Sequence, residues 1–120
     1  MAEPALTPAL ALDYLDELST DIRGAVLLDA GGRVAAGWRG DAERAERMRG
    51  PLLELLARAD AAATDVAPVA QVQVGTQAGA VFCVRDDAWT LGVVAGRFAL
   101  PSLMFYDLGQ VLSDLEAGGS

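Results

Sequence analysis

The sequence contains no histidine, no lysine and no asparagine, and it has one cysteine among 120 residues. Without histidine the most common general base is missing, and most transition-metal sites are excluded. Without lysine no phosphate-binding loop of the G-x-x-x-x-G-K-[ST] type can exist. The single thiol, Cys83, allows no disulfide within the chain, which indicates a reducing, cytoplasmic compartment. These absences predict a protein that is not an enzyme and holds no cofactor or metal.

Net charge and hydropathy restrict the possible partners of the protein. All nine basic residues are arginines, and seventeen acidic residues bring the net charge to −8. Such a chain lacks the clustered positive charge that binds nucleic acid or an anionic membrane. Hydrophobic residues make up 52% of the chain, yet no apolar run reaches transmembrane length. We therefore predict one packed domain over 7–117, flexible ends at 1–6 and 118–120, and no direct membrane insertion. The codon bias that this composition implies is typical of a GC-rich bacterial genome.

Apolar periodicity and capping residues predict three helices. Thr7 and Pro8 are a typical helix start, and Gly24 is expected to close the segment that follows. Asp41 is a suitable N-cap for a second helix that runs to about Ala63, with a kink or a break expected at Pro51. A third helix is expected to begin at residues 100–101. The predicted apolar faces comprise Ala11, Tyr14, Leu15 and Leu18 in the first helix and Met104, Leu108, Val111, Leu112 and Leu115 in the third.

Five strands fill the segments between the helices. The first two, 24–28 and 34–38, flank a glycine-containing turn, and the continuous apolar run of the first predicts a strand covered on both faces. The others are expected at 69–74, 80–84 and 89–95. Hairpin connections imply antiparallel pairing, so the order α-β-β-α-β-β-β-α predicts an α/β (α+β) domain in which three helices cover one antiparallel sheet.

The reactive side chains have plain structural explanations. Cys83 lies inside an apolar strand and has no histidine partner. We therefore predict that it is a small buried hydrophobic residue and not a nucleophile. Asp86 and Asp87 favour a hairpin turn over a fragment of a calcium site.

Two segments could instead contact a partner. The strand 69–74 alternates apolar residues and glutamines without proline or charge, so strand pairing at a sheet edge and an internal position are equally compatible with it. The second helix has an apolar stripe that fits helix–helix contact, although simple packing on the sheet explains it more economically. That stripe contains Ala45, Met48, Leu52, Leu53, Leu55, Leu56, Ala59 and Ala62.

The segments Tyr14–Leu18 and Ile22–Ala36 resemble the opening of roadblock/dynein light chain domains, in which a helix, a strand, an Asp-x-x-Gly turn and a second strand follow one another. The resemblance extends over nearly the whole chain. It implies a profilin-like αββαβββα fold whose five-stranded antiparallel sheet has one helix on one face and two on the other. It also implies a homodimer that pairs through the second helix and the third strand, and a small Ras-like GTPase as the partner of bacterial members. The implied dimer residues are Ala45, Met48, Leu52, Leu55, Leu56, Ala59, Gln71, Val72, Gln73 and Val74, and the candidate partner contacts are Arg44, Arg47 and Arg58.

Three functions follow as hypotheses. The first is a homodimeric, non-catalytic regulator of a bacterial small GTPase. The second is a small-molecule sensor with a pocket lined by Trp38, Phe82 and Trp89. The third is a structural subunit of a larger complex. Pro51 and the two large tryptophans depart from what the resemblance leads one to expect of the helix and the strands.

Overall fold

The computed structural model, which describes residues 6–18, 21–62 and 70–115, has the predicted order of helices and strands. The strands form one antiparallel sheet in the order β2-β1-β5-β4-β3. This confirms the predicted fold class. The elements are α1 (Pro8–Leu18), β1 (Ile22–Asp29), β2 (Val34–Gly37), the 3-10 turn η1 (Trp38–Gly40), α2 (Ala42–Ala62), β3 (Gln71–Gly75), β4 (Gly79–Arg85), β5 (Trp89–Gly96) and α3 (Pro101–Asp114).

Both predicted N-caps are in place. The Thr7 hydroxyl accepts a hydrogen bond from the N–H of Leu10 at 3.4 Å, and the Asp41 carboxylate accepts one from the N–H of Arg44 at 3.0 Å. α2 continues as one helix through Pro51, so the prediction of a helix in two pieces is wrong. Proline removes only one hydrogen bond there, and buried residues on both sides of it hold the helix on the sheet.

Alternate residues of β1 point to opposite layers. Val26 and Leu28 belong to the cluster beneath α2, whereas Ala25 and Leu27 belong to the larger cluster beneath α1 and α3. All four side chains are buried. The prediction of a strand covered on both faces is therefore confirmed, as is the arrangement of one helix on one face and two on the other.

The predicted face of α1 is rotated from the observed one. The buried residues are Ala11, Leu12 and Leu15, whereas Tyr14 and Leu18 are exposed. Both sets satisfy helical spacing, and only the position of the sheet decides which one is buried. Gly24 lies within β1 and does not close the helix, because the strand already begins at Ile22.

The expected second strand is one residue too long at its end. β2 stops at Gly37, and the buried Trp38 opens the turn η1. Within that turn Arg39 has a φ of 53°, which redirects the chain into α2. Its guanidinium lies over the Trp38 ring and also pairs with Asp16 of α1 at 3.4 Å. The turn thus ties α1 to the β2 edge.

The two ends of the described chain meet. Leu6 forms a parallel bridge with Leu115, and its N–H donates to the carbonyl of Asp114 at 2.7 Å. The folded part therefore includes Leu6, which the sequence pattern assigns to the flexible lead-in. The rest of the predicted flexible ends, 1–5 and 118–120, lies outside the described residues, as do residues 116–117 of the predicted domain, Ala63 and Val69. Over the ranges that are described, no helix is long and apolar enough to cross a membrane.

The middle of α2 approaches the sheet closely at Gly92. A Cβ atom placed on this residue of β5 would lie 2.7 Å from a methyl carbon of Leu52. Such a distance is too short for real atoms, and the opposing Leu52 is itself buried. The missing side chain at position 92 therefore leaves the space that Leu52 occupies above β5.

We expect Gly92→Ala to lower the free energy of unfolding by about 1–3 kcal/mol, because the added methyl must displace Leu52. Gly109→Ala is the matched control, since a Cβ atom added at this position of α3 would meet nothing within 4 Å. That change should raise stability by up to about 1 kcal/mol through helix propensity. Urea unfolding followed by tryptophan fluorescence measures both. Equal effects of the two substitutions would contradict the packing role of Gly92.

Candidate interaction surface

Helix α2 crosses the sheet diagonally. At its start Ala45 packs against Gly37 of β2, where an added Cβ would lie 3.0 Å away. At its middle Leu52 lies over Gly92 of β5. Near its end Asp60 forms an ion pair with Arg85 of β4. The helix therefore lies nearest β2 and β1, its side chains reach β5 and β4, and it leaves one corner of that face uncovered.

The two flanks of α2 have different neighbours. On one flank the Arg49 Nε donates to the carbonyl of Gly32, and Leu53 packs against the same glycine in the β1–β2 turn. The opposite flank begins with Arg44, whose guanidinium lies against Gly24 of β1. Helical geometry places three half-buried residues on this second flank, facing β4 and β3. They are Met48, Leu55 and Ala59.

The uncovered part of the sheet is apolar. The strand register pairs Val74 with Val81 and Val81 with Val94, on the same face as Cys83 beneath α2. Val74 is 38% exposed, and the other two valines are half-buried. We call this surface the open corner: Val74, Val81 and Val94, bordered by Met48, Leu55 and Ala59.

β3 is an edge strand, so the structure decides between the two positions that the sequence left open. Its inner side is bonded to β4, where the N–H of Arg85 donates to the carbonyl of Ala70 and the N–H of Thr76 to that of Gly79. Because bonding alternates along an antiparallel pair, the backbone groups of Gln71 and Gln73 point away from β4. Among the described residues no strand pairs with this outer side.

The predicted dimer residues fall into three groups. Ala45, Leu52 and Leu56 are buried in the protomer's own core, as simple packing of α2 on the sheet requires. Met48, Leu55 and Ala59 border the open corner, and Val74 lies in it. The last group lies along the free edge: Val72 is half-buried beside Cys83, whereas the side chains of Gln71 and Gln73 are exposed and project from the other face.

The three candidate arginines lie on one side of α2 but differ in exposure and in ion pairing. Arg44 is half-buried against Gly24, and Arg58 pairs with Glu54 at 2.8 Å. Arg47 is exposed. The Arg58–Glu54 pair is open to solvent, so it contributes little to stability and leaves the guanidinium accessible. A negatively charged partner could therefore contact Arg47 and Arg58 without a large rearrangement.

Several residues of the surface were missed by the sequence reasoning. Val81 and Val94 form part of the open corner, and Arg85 anchors the end of α2. The only signal for the two valines is the strand register, which no periodicity within one strand contains. Arg85 could have been suspected only because it is the single basic residue of the β4–β5 segment.

Cys83 behaves as the small buried hydrophobe that the sequence favoured. It is fully buried, and burial raises the pKa of its thiol from 9.0 to about 12, although the nearby Arg85 charge lowers it in part. The Asp86 carboxylate accepts hydrogen bonds from the N–H groups of Ala88 and Trp89, both at 2.9 Å, which confirms a hairpin turn.

The sensor hypothesis loses its proposed pocket. Trp38, Phe82 and Trp89 are all buried in the core beneath α1 and α3. Phe82 packs edge-on against Phe105 with ring centres 5.4 Å apart. Phe82 also borders a depression beside Gly79 and Arg97, but Trp38 and Trp89 do not line it. The three rings therefore belong to the close-packed core and do not surround one shared pocket.

Several solved structures have the same fold, among them roadblock domains. No protein-family model and no curated protein matches the chain. A Roadblock/LC7 domain from Streptomyces avermitilis is similar, with a TM-score of 0.76 and 22% identity over 86% of this chain and 89% of that one. The gliding protein MglB from Thermus thermophilus has a TM-score of 0.70 and 18% identity over 95% of each chain. MglB in a tetrameric arrangement has a TM-score of 0.69 and 18% identity over 92% of this chain and 91% of that one. The chain thus has the fold that its sequence resemblance implied.

Burial of Cys83 predicts a loss of stability at alkaline pH. Above about pH 9 the unfolded chain releases the thiol proton while the folded chain retains it, so unfolding is favoured as pH rises. The expected loss is roughly 1.4 kcal/mol for each pH unit between about 9 and the folded-state pKa of about 12. Cys83→Ala is the control, because it removes this titration while leaving the tyrosines and arginines. Urea unfolding at several pH values should show a steeper decline for the unsubstituted protein, and parallel declines would contradict the prediction.

Proposed function

We propose that this protein is a homodimeric, non-catalytic module that regulates a bacterial Ras-like small GTPase. The observation that carries the dimer is the open corner, which lies beside the free edge of β3. An apolar surface next to unpaired backbone groups is a site that a protein must shield or use. A second copy of this chain could cover the apolar surface and pair with the backbone groups of β3 at the same time.

The geometry of such a dimer is symmetric. Two β3 strands pair antiparallel about a two-fold axis, through the outward backbone groups of Gln71 and Gln73, and the two sheets become continuous. The same axis brings the apolar flank of each α2, with Met48 and Leu55, towards the open corner of the partner. The similar MglB structure in a tetrameric arrangement supports assembly of this fold into oligomers.

The GTPase partner is supported by the sequence resemblance and by the fold. Cys83 is buried and protonated, which fits a binding role better than a nucleophilic one. We therefore assign a binding surface to this chain and leave the chemistry of GTP hydrolysis to the GTPase. A partner shifts a switch between two states only by binding one of them more tightly, so the complex should depend on the bound nucleotide. Arg47 and Arg58 are the accessible cations on the outward side of α2.

Gln73→Pro tests the strand-paired dimer. Proline removes the outward N–H of residue 73 but leaves every hydrogen bond between β3 and β4, so the protomer should stay folded and dissociate. Gln73→Thr keeps the N–H and is the matched control. Light scattering at micromolar concentration should give a dimer for the unsubstituted protein and for Gln73→Thr, and a monomer for Gln73→Pro. A monomer in all three would refute the dimer.

Nucleotide-dependent capture tests the GTPase. Tagged protein is incubated with bacterial lysate loaded with either GDP or a GTP analogue, and bound proteins are identified by mass spectrometry. We expect a Ras-like GTPase in one nucleotide state only. The triple substitution of Arg44, Arg47 and Arg58 to alanine should weaken capture by about tenfold if these charges contact the partner.

Two outcomes separate the alternatives. Equal capture of the same proteins in both nucleotide states would favour a structural subunit over a regulator. Unchanged capture by the triple variant would remove the arginines from the contact while leaving the regulator proposal in place. The Gln73→Pro variant, tested in parallel, shows whether the GTPase needs the dimer or a single protomer.

A further inference from the structure

A second apolar surface lies on the opposite side of the sheet. Of the eight large hydrophobic side chains exposed in the described residues, all but Val74 lie on α1, on α3 or in the turn that leads into α3. This surface goes beyond the proposed function, since neither β3 pairing nor α2 uses it. Its members are Leu10, Tyr14, Leu18, Phe98, Leu100, Leu103 and Tyr106.

The two helices lie antiparallel with a groove between them. The Leu6–Leu115 bridge joins the start of α1 to the end of α3, and Leu18 lines one cavity together with Leu103 at the other end. Asp16 pairs with Arg39 of η1, so the flank of α1 that carries Asp16 faces η1. The opposite flank, with Leu10, Tyr14 and Leu18, faces α3. The exposed apolar row on α1 is about 12 Å long.

The facing wall of α3 is fixed by the same reasoning. Phe105 packs on Phe82 of β4, so the opposite flank of α3 faces α1. That flank carries Leu103 and Asp107, both of which line the cavity of about 150 Å³ at the groove's end. We call this surface the α1–α3 groove.

Phe98 is presented by an ordered turn. Its ring is 86% exposed, and its N–H donates to the Asp21 carboxylate at 2.8 Å. The backbone carbonyl of Asp21 also accepts the N–H of Gly96 at 2.8 Å. A large aromatic ring held in water by a hydrogen-bonded turn costs free energy that contact with a partner would recover.

The two helices that form the groove carry acidic residues and no basic ones. α1 and α3 together have five carboxylates, of which Asp16 lies on the far flank and pairs with Arg39. Asp107 lies in the groove wall, and Asp13 and Glu17 lie on the exposed side of α1. Arg97 is the neighbouring cation, and it lines a separate depression on the β3–β4 side.

We infer that the α1–α3 groove binds an amphipathic helix of another protein, one that places apolar side chains between α1 and α3 and lysines or arginines along the acidic rim. The exposed row matches about two helical turns. A second copy of this chain is a poor occupant, because two acidic grooves repel each other. An anionic membrane is disfavoured for the same reason.

A designed peptide tests the groove without knowledge of the natural partner. The probe is a fluorescent peptide of about fourteen residues, made of leucine and lysine with leucines at i, i+3, i+4 and i+7. A second peptide keeps this spacing but has glutamate for lysine, and a third has the first composition in scrambled order. Fluorescence anisotropy with the full chain should show binding of the first peptide that weakens with salt, and at least about tenfold weaker binding of the others.

Variants of the protein locate the site. Leu103→Glu should weaken binding by at least about tenfold, because it places a charge where leucine is expected to pack. Asp107→Lys should weaken it about threefold at low salt by reversing a rim charge. Asp87→Lys, an equal charge change in the β4–β5 turn at the other end of the sheet, is the control and should leave binding unchanged.

Phe98→Ala provides a check that does not depend on charge, since the exposed ring makes no contribution to the core and the variant should fold normally. This substitution should weaken binding of the leucine–lysine peptide, as Leu103→Glu does. Equal binding of the glutamate peptide, or unchanged binding by Leu103→Glu and Phe98→Ala, would overturn the proposal. So would a change in the protomer number of the free protein on Leu103→Glu, because the groove would then hold a second copy.

Discussion

The contact between Leu52 and Gly92 is the constraint on which the rest of the structure depends. Because β5 has no side chain at that point, α2 can lie close to the sheet and bury Leu52 and Leu56 against Val26, Leu28 and Cys83. The close approach at the middle, with Gly37 beneath the start and Arg85 beside the end, holds the helix in a diagonal path. That path is the reason that one corner of an apolar sheet face remains uncovered. The candidate dimer surface is therefore a consequence of how the protomer's own core is packed.

The sequence predicted the order of the elements, the N-caps at Thr7 and Asp41, the hairpin turn at Asp86, and the class of the fold. These features depend on residues close together in the chain. It did not predict which face of α1 is buried, because two faces satisfy the same spacing and only the position of the sheet selects Leu12 over Tyr14. It also did not predict the open corner, since Val81 and Val94 meet Val74 only through the strand register. The predicted dimer residues include both core and surface positions. Ala45, Leu52 and Leu56 are core residues, whereas Met48 and Leu55 border the open corner.

The sheet separates two surfaces that need different partners. On the α2 side the open corner and the β3 edge are apolar and rich in unpaired backbone groups, which suits a copy of the same strand. On the other side the α1–α3 groove combines exposed apolar side chains with carboxylates, which suits a helix of opposite charge. Neither surface shares a residue with the other, so both can be occupied at the same time. A dimer joined at β3 would carry two grooves on one side of its continuous sheet.

The distribution of charge gives the molecule a polarity across the sheet. α2 carries four arginines and four carboxylates and is neutral as a whole, whereas α1 and α3 carry five carboxylates and no basic residue, and of these five Asp16 is paired with Arg39 of η1. The field of such a molecule points through the sheet, with its negative end on the groove side. Approaching cations and basic segments are steered to that side before any contact forms, and the rate of their encounter should fall as ionic strength increases. Pairing of two protomers in one plane would align their fields and strengthen this orientation.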